Sequence, residues 1–216
     1  MFRVGGCQPP KPVQENAPAP AMLVTLPRTD LCLGFVNTRS WRGRAEPSES
    51  LLDLEALVRW LGKAGGLPQP FAHEMEHWCY AHLTKAARTL ADAIGLREAL
   101  FRLFVGAGAS TADFATLQHM LAAAPARQHL VSSQGSCFWR IECPRPEAAD
   151  LLAPVLWSAA DLLVSEARDR VRCCANAECL WLYLDGSRKG TRRWCDMASC
   201  GNRAKARRHY LKSKAA

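Results

Sequence analysis

The sequence predicts a mainly α N-terminal domain with a small β-hairpin, followed by a compact C-terminal hairpin-plus-helix module built on clustered cysteines. Three observations predict it. Apolar residues recur at helical spacing through most of residues 50–171, a stretch near residue 135 switches to two-residue alternation, and five of the ten cysteines fall between positions 173 and 200. With 216 residues, 49% hydrophobic and 22% charged, the chain has the apolar content to build a core, which excludes wholesale disorder. It divides into a Pro/Ala-rich arm over 1–21, a helical domain over 22–168 and the cysteine module over 169–213, with Met22 a second candidate start.

From Leu23 the composition turns apolar. In LCLGFVNTRSW, Leu31, Leu33 and Phe35 alternate; helix and strand compete there, and helix is taken. Ser50 with Asp53 three residues on marks a helix start, and Leu54, Leu57, Val58 and Leu61 follow at i, i+3, i+4, i+7 until Gly65-Gly66 stops the run. Residues 71–105 read as helix, with Leu90, Ile94, Phe101 and Phe104 on one stripe and a break near Gly106 and Gly108. Ser110 with Asp113 opens a short helix through Phe114, Leu117 and Leu121. In HLVSSQGSCFWRIEC, Gln134-Gly135 lies between two runs of strand formers, so a β-hairpin is expected. After Pro144 and Pro146, residues 147–171 return to a helical period through Leu152, Val155, Ala159 and Leu162, with Pro154 a kink or restart.

The net charge of +8 is unevenly spread. Residues 168–216 carry 13 Lys/Arg against 4 Asp/Glu, whereas the rest carries 15 against 16, so the excess positive charge belongs to the cysteine module. No run of 18 apolar residues occurs, and the first 21 residues lack the apolar centre of a secretory signal. The expectation is a cytoplasmic protein with no membrane segment, in which clustered cysteines are metal ligands rather than disulfides.

Four of the clustered cysteines follow the pattern Cys174-x4-Cys179-x15-Cys195-x4-Cys200. Two close pairs separated by a returning segment suit one tetrahedral zinc ion, with Zn–S of about 2.3 Å. Cys173 competes with Cys174 as first ligand, and the matched x4 spacing favours Cys174. Cys7, Cys32, Cys79, Cys137 and Cys143 show no such pairing. Four thiolates close the coordination shell, so the expected zinc is structural and not catalytic. Between the pairs, LWLYLDGSRKGTRRW reads as a hairpin with Trp181 and Tyr183 alternating with leucines and a turn at 185–190. Met197, Cys200, Ala204 and Leu211 then share one face of a last helix, turning Cys200 inward, in the manner of a treble clef.

Basic residues decorate both elements: Arg188, Lys189, Arg192 and Arg193 on the hairpin, and Arg203, Lys205, Arg207, Arg208 and Lys212 on the helix. That density on a rigid scaffold suits a phosphate backbone, so DNA is the expected partner, with the Arg192/Arg193 double alanine variant losing affinity but keeping zinc. Trp181 and Trp194 are candidates to stack on bases or to form the module's core.

The run RRWCDMASCGNRAKARRH, with DGSRKG and CCANAEC before it, resembles the CGNR zinc finger family over roughly residues 170–212, and Cys200-Gly201-Asn202-Arg203 are its name-giving letters. In that family the finger usually follows a mainly helical domain, ABATE, proposed to belong to stress-induced transcription regulators. Phe35, Val36, Asn37 and Thr38 of LCLGFVNTR match that domain's opening, although its usual Asp is Gly34 here. The resemblance implies a DNA-binding finger, with Cys174, Cys179, Cys195 and Cys200 as ligands, behind a sensory or ligand-binding domain. Asn202 is expected to hydrogen-bond within the finger.

Asn37, Arg39 and Trp41, polar and aromatic residues emerging from an apolar segment, form a candidate small-molecule site, against the simpler reading of a cap and surface turn. His73-Glu74-Met75-Glu76-His77 matches H-E-x-x-H, but no third ligand follows, so an ordinary helix face is preferred. With no phosphate loop or nucleophile elbow, an enzyme is not expected. The competing function is a zinc-stabilised protein-interaction module whose basic face docks an acidic partner. The sequence leaves a homodimer open.

Overall fold

The computed structural model describes residues 21–24, 30–106, 108–133, 135–142 and 147–215. The predicted arm up to residue 20, Gln134, Cys143, Pro144 and Pro146 lie outside the described residues.

The first element, β1 (Ala21–Val24), leads to α1 (Leu31–Val36). Leu31, Leu33, Phe35 and Val36 are all buried, so the apparent alternation belongs to a helix enclosed on nearly every side. A two-residue ribbon follows, in which β2 (Arg39–Ser40) pairs antiparallel with β3 (Ser48–Glu49). Next comes α2 (Leu54–Ala64). The residue at its N-cap is Asp53, not Ser50, because the Asp53 carboxylate accepts the Ala56 N–H at 2.7 Å. It ends where Gly65 takes φ 78° and the Gly66 N–H reaches the Leu61 carbonyl at 2.8 Å.

Residues 71–105 form two helices rather than one: α3 (Gln69–Ala81) and α4 (Leu83–Val105), parted at His82. The buried stripe of α4 is also offset from the predicted one. Ala86, Ala93, Leu96, Leu100 and Leu103 face inward, together with Thr89 and Arg97, while Leu90, Phe101 and Phe104 flank the core partly buried. Alanines allow close helix packing, and the larger side chains fill the margins. The next helix, α5 (Thr111–Ala123), begins at the predicted Ser110/Asp113 capping box and buries Leu117, whereas Phe114 is exposed.

The expected hairpin is present: β4 (Leu130–Ser133) pairs with β5 (Ser136–Glu142), and β1 joins the other edge of β5 to give the order β1-β5-β4. A short α6 (Ala148–Leu151) then restarts as α7 (Ala153–Val164), with Pro154 in the first turn where a missing N–H costs nothing. Leu152, Val155, Ala159 and Leu162 are buried as their period requires. A Ser158 hydroxyl accepts the Cys32 N–H at 3.1 Å, fastening α7 to α1.

After a 3₁₀ turn (Glu166–Arg170), β6 (Val171–Cys173) pairs with β7 (Leu182–Leu184). This corrects the hairpin expected within 180–194: the strands bracket the first cysteine pair instead. The segment after β7 is a loop, because Asp185 takes the Arg192 N–H at 3.0 Å that a second strand would have used. A π-type turn (Met197–Gly201), capped by Asp196, runs into α8 (Asn202–Ala215). Cys200 faces inward, but Met197 and Leu211 on the same predicted face are exposed. Knuckle, loop and helix make a treble-clef-like unit. Among the described residues, no helix is long and apolar enough to cross a membrane.

Candidate metal centre and basic face

Cys174 and Cys179 enter the centre from the β6–β7 knuckle, Cys195 from the loop and Cys200 from the turn before α8. Their sulfur atoms lie within 4.8 Å of one another. The Cys179 and Cys195 sulfurs are 3.7 Å apart, matching the separation of about 3.8 Å that a tetrahedral zinc with bonds of about 2.3 Å imposes. Cys173, on β6, is exposed and outside this group, which makes Cys174 the first ligand. Burial pushes the Cys179 thiol up to about 12 without a metal, and burial raises Cys195 as well. Four clustered thiolates, three of them buried and Cys195 half-buried, need a dication to ionise together. Against burial, the Asn176 amide, donating to the Cys200 sulfur at 3.5 Å, and the neighbouring thiols hold Cys200 below the ordinary thiol range. The donor set therefore fits one zinc ion, which when bound would cross-link knuckle to helix with a closed shell and no open position for a substrate.

The loop is held by its own residues. The buried Asp185 carboxylate accepts the N–H groups of Ser187 at 2.9 Å and Arg192 at 3.0 Å. The Tyr183 hydroxyl donates to the Arg192 carbonyl at 2.6 Å, and the Arg192 guanidinium donates to the carbonyls of Trp194 and Cys195. Arg192 is thus engaged in shaping the Cys195 approach. Gly201 lies under the Met197 side chain, where a Cβ would displace the flexible thioether from 2.8 Å. Asn202 hydrogen-bonds within the finger, donating to the Ala198 carbonyl at 3.2 Å.

Arg203 reaches outside the finger, its guanidinium carbon 4.7 Å from the centre of the Trp41 ring. The structure places Asn37, Arg39 and Trp41 at the junction between helical domain and finger. The Asn37 side chain accepts the Leu182 N–H at 2.9 Å and donates to the Leu182 carbonyl at 2.8 Å, acting as a strand partner for β7. It also borders a cleft of about 460 Å³ with Trp60, Trp181 and Tyr183. Trp41, at φ 54°, packs on the cysteine cluster and contacts both Arg44 and Arg203. Such a backbone strains a bulky residue and persists only where packing fixes it. Arg39 lies 3.8 Å from Glu98 of α4. The residue pattern gave no sign of this junction, because its partners are more than 130 positions apart.

Gly43 completes the junction, donating its N–H to the Glu178 carbonyl at 3.1 Å. A Cβ on Gly43 would sit 1.8 Å from the Ala177 carbonyl oxygen, and backbone has no rotamer with which to yield. Gly43→Ala is expected to part the two units while zinc stays at one per chain, raising hydrogen exchange at the Leu182 amide by about 10-fold or more. Unchanged protection at Leu182 would show that this contact does not join them.

Arg188, Lys189, Arg193, Arg203, Lys205, Arg207 and Arg208 are all exposed, and none is ion-paired among the described residues. Lys212 lies on α8, its side chain outside the described set. His73 and His77 sit on the exposed face of α3 with rings 4.9 Å apart, and Glu76 pairs with His73 at 3.7 Å; among the described residues the four cysteines are the one group close enough to hold a metal.

The fold and the site define a helical domain joined to a four-cysteine zinc finger. The ABATE family model, described as "Putative stress-induced transcription regulator", matches residues 29–166, and that of the CGNR zinc finger matches residues 170–213. The chain belongs to the ABATE family and ends in a CGNR zinc finger. No curated protein matches it.

Proposed function

We propose that this protein is a transcription regulator that binds DNA through the phosphate contacts of its zinc finger, with the helical domain as its sensory or ligand-binding part and no catalytic role. The observation that carries the reading is the set of seven exposed cationic side chains, without acidic partners among the described residues, on a module whose centre is fixed by four cysteines. Each cation that meets a phosphate releases condensed counterions, so affinity is gained from solution entropy and lost as salt rises. The family description, a transcription regulator, supports the same reading.

The test is a salt titration of zinc-loaded protein on random-sequence duplex DNA. The logarithm of affinity should fall linearly with the logarithm of salt, with a slope of about −0.9 per phosphate engaged. Arg188→Ala with Lys189→Ala should flatten that slope while zinc stays bound. This pair is a cleaner probe than Arg192 and Arg193, because Arg192 holds the Cys195 loop. No binding at low salt would favour the competing reading, an interaction module for an acidic protein, to which the exposed Tyr210 and Leu211 of α8 would lend apolar contact.

A further inference from the structure

Between the knuckle and α8 lies a groove of about 570 Å³ that borders the metal centre through Cys200. Residues 175–178 form one wall, where the Glu178 carboxylate is neutralised by Arg44 at 3.0 Å; Arg203, Arg207 and Arg208 of α8 form the other, and Trp194 closes the side. Trp194 is half-buried, its other contacts being the cysteine cluster and Gly201, so the indole is braced at a fixed position in the groove. The Arg193 guanidinium lies 5.6 Å from its ring centre. Arg207 and Arg208 are exposed and without an ion pair among the described residues.

An indole that lines a concavity rimmed by guanidinium groups matches two chemistries at once: a planar ring to stack and an anion to pair. We propose that this groove takes an unpaired nucleotide of a single-stranded nucleic acid, the base stacking on Trp194 and its flanking phosphates pairing with Arg203 and Arg207. The inference rests on the reading of the basic face as a nucleic-acid face, and it names the strand state that this face prefers. In a duplex the base faces are already stacked on one another, and only base edges and phosphates are on offer. A ring that lines a groove cannot stack on a paired base without extruding it, which costs unstacking energy that a single strand does not incur. Helix rows of arginine alone would bind either form. The Trp194 ring beside them discriminates.

The experiment uses the full-length, zinc-loaded chain and four probes of equal length: oligo-dT, oligo-U, an abasic deoxyribose-phosphate oligomer and a random-sequence duplex. Oligo-dT should bind about 10-fold or more tighter than the abasic oligomer, which has the same phosphates without bases. Equal affinity for those two would overturn the proposal with no protein variant needed. Oligo-dT should also bind more tightly than the duplex, and oligo-U against oligo-dT decides whether the strand is RNA or DNA. Trp194→Leu keeps apolar bulk on the cysteine cluster and should erase the dT-over-abasic preference. Should that variant lose zinc, Arg207→Glu at the groove rim takes its place and should weaken oligo-dT binding by about 10-fold or more. Tighter binding to duplex, with no gain from bases, would overturn the groove and leave the DNA reading standing. No binding to any of the four would overturn both.

Discussion

Stripping the metal with a chelator, or replacing Cys200 with Ser, is expected to unfold residues 170–215 while the helical domain keeps its cooperative transition. The reason is the poverty of the finger's own core. Its buried cluster consists of Cys174, Cys179 and Cys200, with Trp41, Trp194 and Cys195 only partly buried against it. Leu182 belongs to the core of the helical domain instead. Little apolar area is therefore available to replace a structural zinc, whose apparent contribution in such modules is about 10–16 kcal/mol near neutral pH. Helix α8 has no independent reason to persist, since its exposed face is a row of like charges without acidic partners among the described residues. Circular dichroism should lose the signal of one helix, and amide resonances of residues 202–215 should collapse toward random-coil positions. Persistence of those resonances after complete zinc removal would show that the finger folds without metal. The control is Cys173→Ser, which should leave zinc content unchanged because that exposed thiol lies outside the cluster. The pH dependence has a definite sign. Cys179 is protonated in the metal-free chain up to about 12, so zinc must displace its proton, and zinc affinity falls as pH falls.

Periodic signals were legible in the sequence and long-range pairings were not. The run Leu152, Val155, Ala159, Leu162 announces its buried face by spacing, and the Ser110/Asp113 box announces its helix start, because both are decided within one or two turns of chain. The matched x4 spacing likewise selects Cys174 over Cys173, since neighbouring strand residues point to opposite sides and one of the two must turn away. The partner of β7 was misread for an equally physical reason. Sequence proximity favoured the stretch ending at Trp194, but Asp185 captures the Arg192 amide and the Ala175 amide takes the Arg193 carbonyl, leaving β6 as the free ladder. The junction was invisible. Asn37 is an ordinary turn residue until Leu182 arrives beside it, and Gly43 is an ordinary glycine until the Ala177 carbonyl fills the space of its missing side chain. Arg192 carries a second task that its sequence position does not announce: exposed as expected of a basic-face cation, its guanidinium also donates to the carbonyls of its own loop.

Arg97→Met is expected to be among the more damaging substitutions outside the finger, lowering stability by about 2–3 kcal/mol through loss of the charge-assisted hydrogen bonds to a half-buried Glu49. The Arg97 side chain is 1% exposed on the inward face of α4. It donates to both carboxylate oxygens of Glu49 at 2.6 Å, to the Thr38 hydroxyl at 3.2 Å and to Glu98 at 3.0 Å. Glu98 retains a second cation, Arg42, at 2.6 Å, so Glu49, left with the Leu51 N–H at 2.9 Å, is the group that loses its cation. Methionine fills similar volume, which separates loss of charge from loss of packing. Adding Glu49→Gln should recover part of the deficit, because the cost lies in the carboxylate left without its cation. Burial opposes ionisation of Glu49, yet the Arg97 hydrogen bonds outweigh it and hold the carboxyl below its ordinary value. A depressed carboxyl stabilises the fold fully above the unfolded value of about 4.3 and loses that contribution as pH falls through the lower folded value. The gap between wild type and Arg97→Met should therefore be widest near neutrality and narrow below about pH 4, and urea denaturation at the two pH values measures it. A gap under about 1 kcal/mol at neutral pH, or one indifferent to acid, would refute the buried-network account. The consequence reaches the finger, because Glu49 anchors the ribbon strand paired with Arg39, and the turn between them carries Trp41 onto the cysteine cluster and Gly43 onto the Glu178 carbonyl. Exchange at the Leu182 amide should rise in Arg97→Met although the hydrogen-bond partners of Arg97, Glu49, Thr38 and Glu98, all lie in the helical domain.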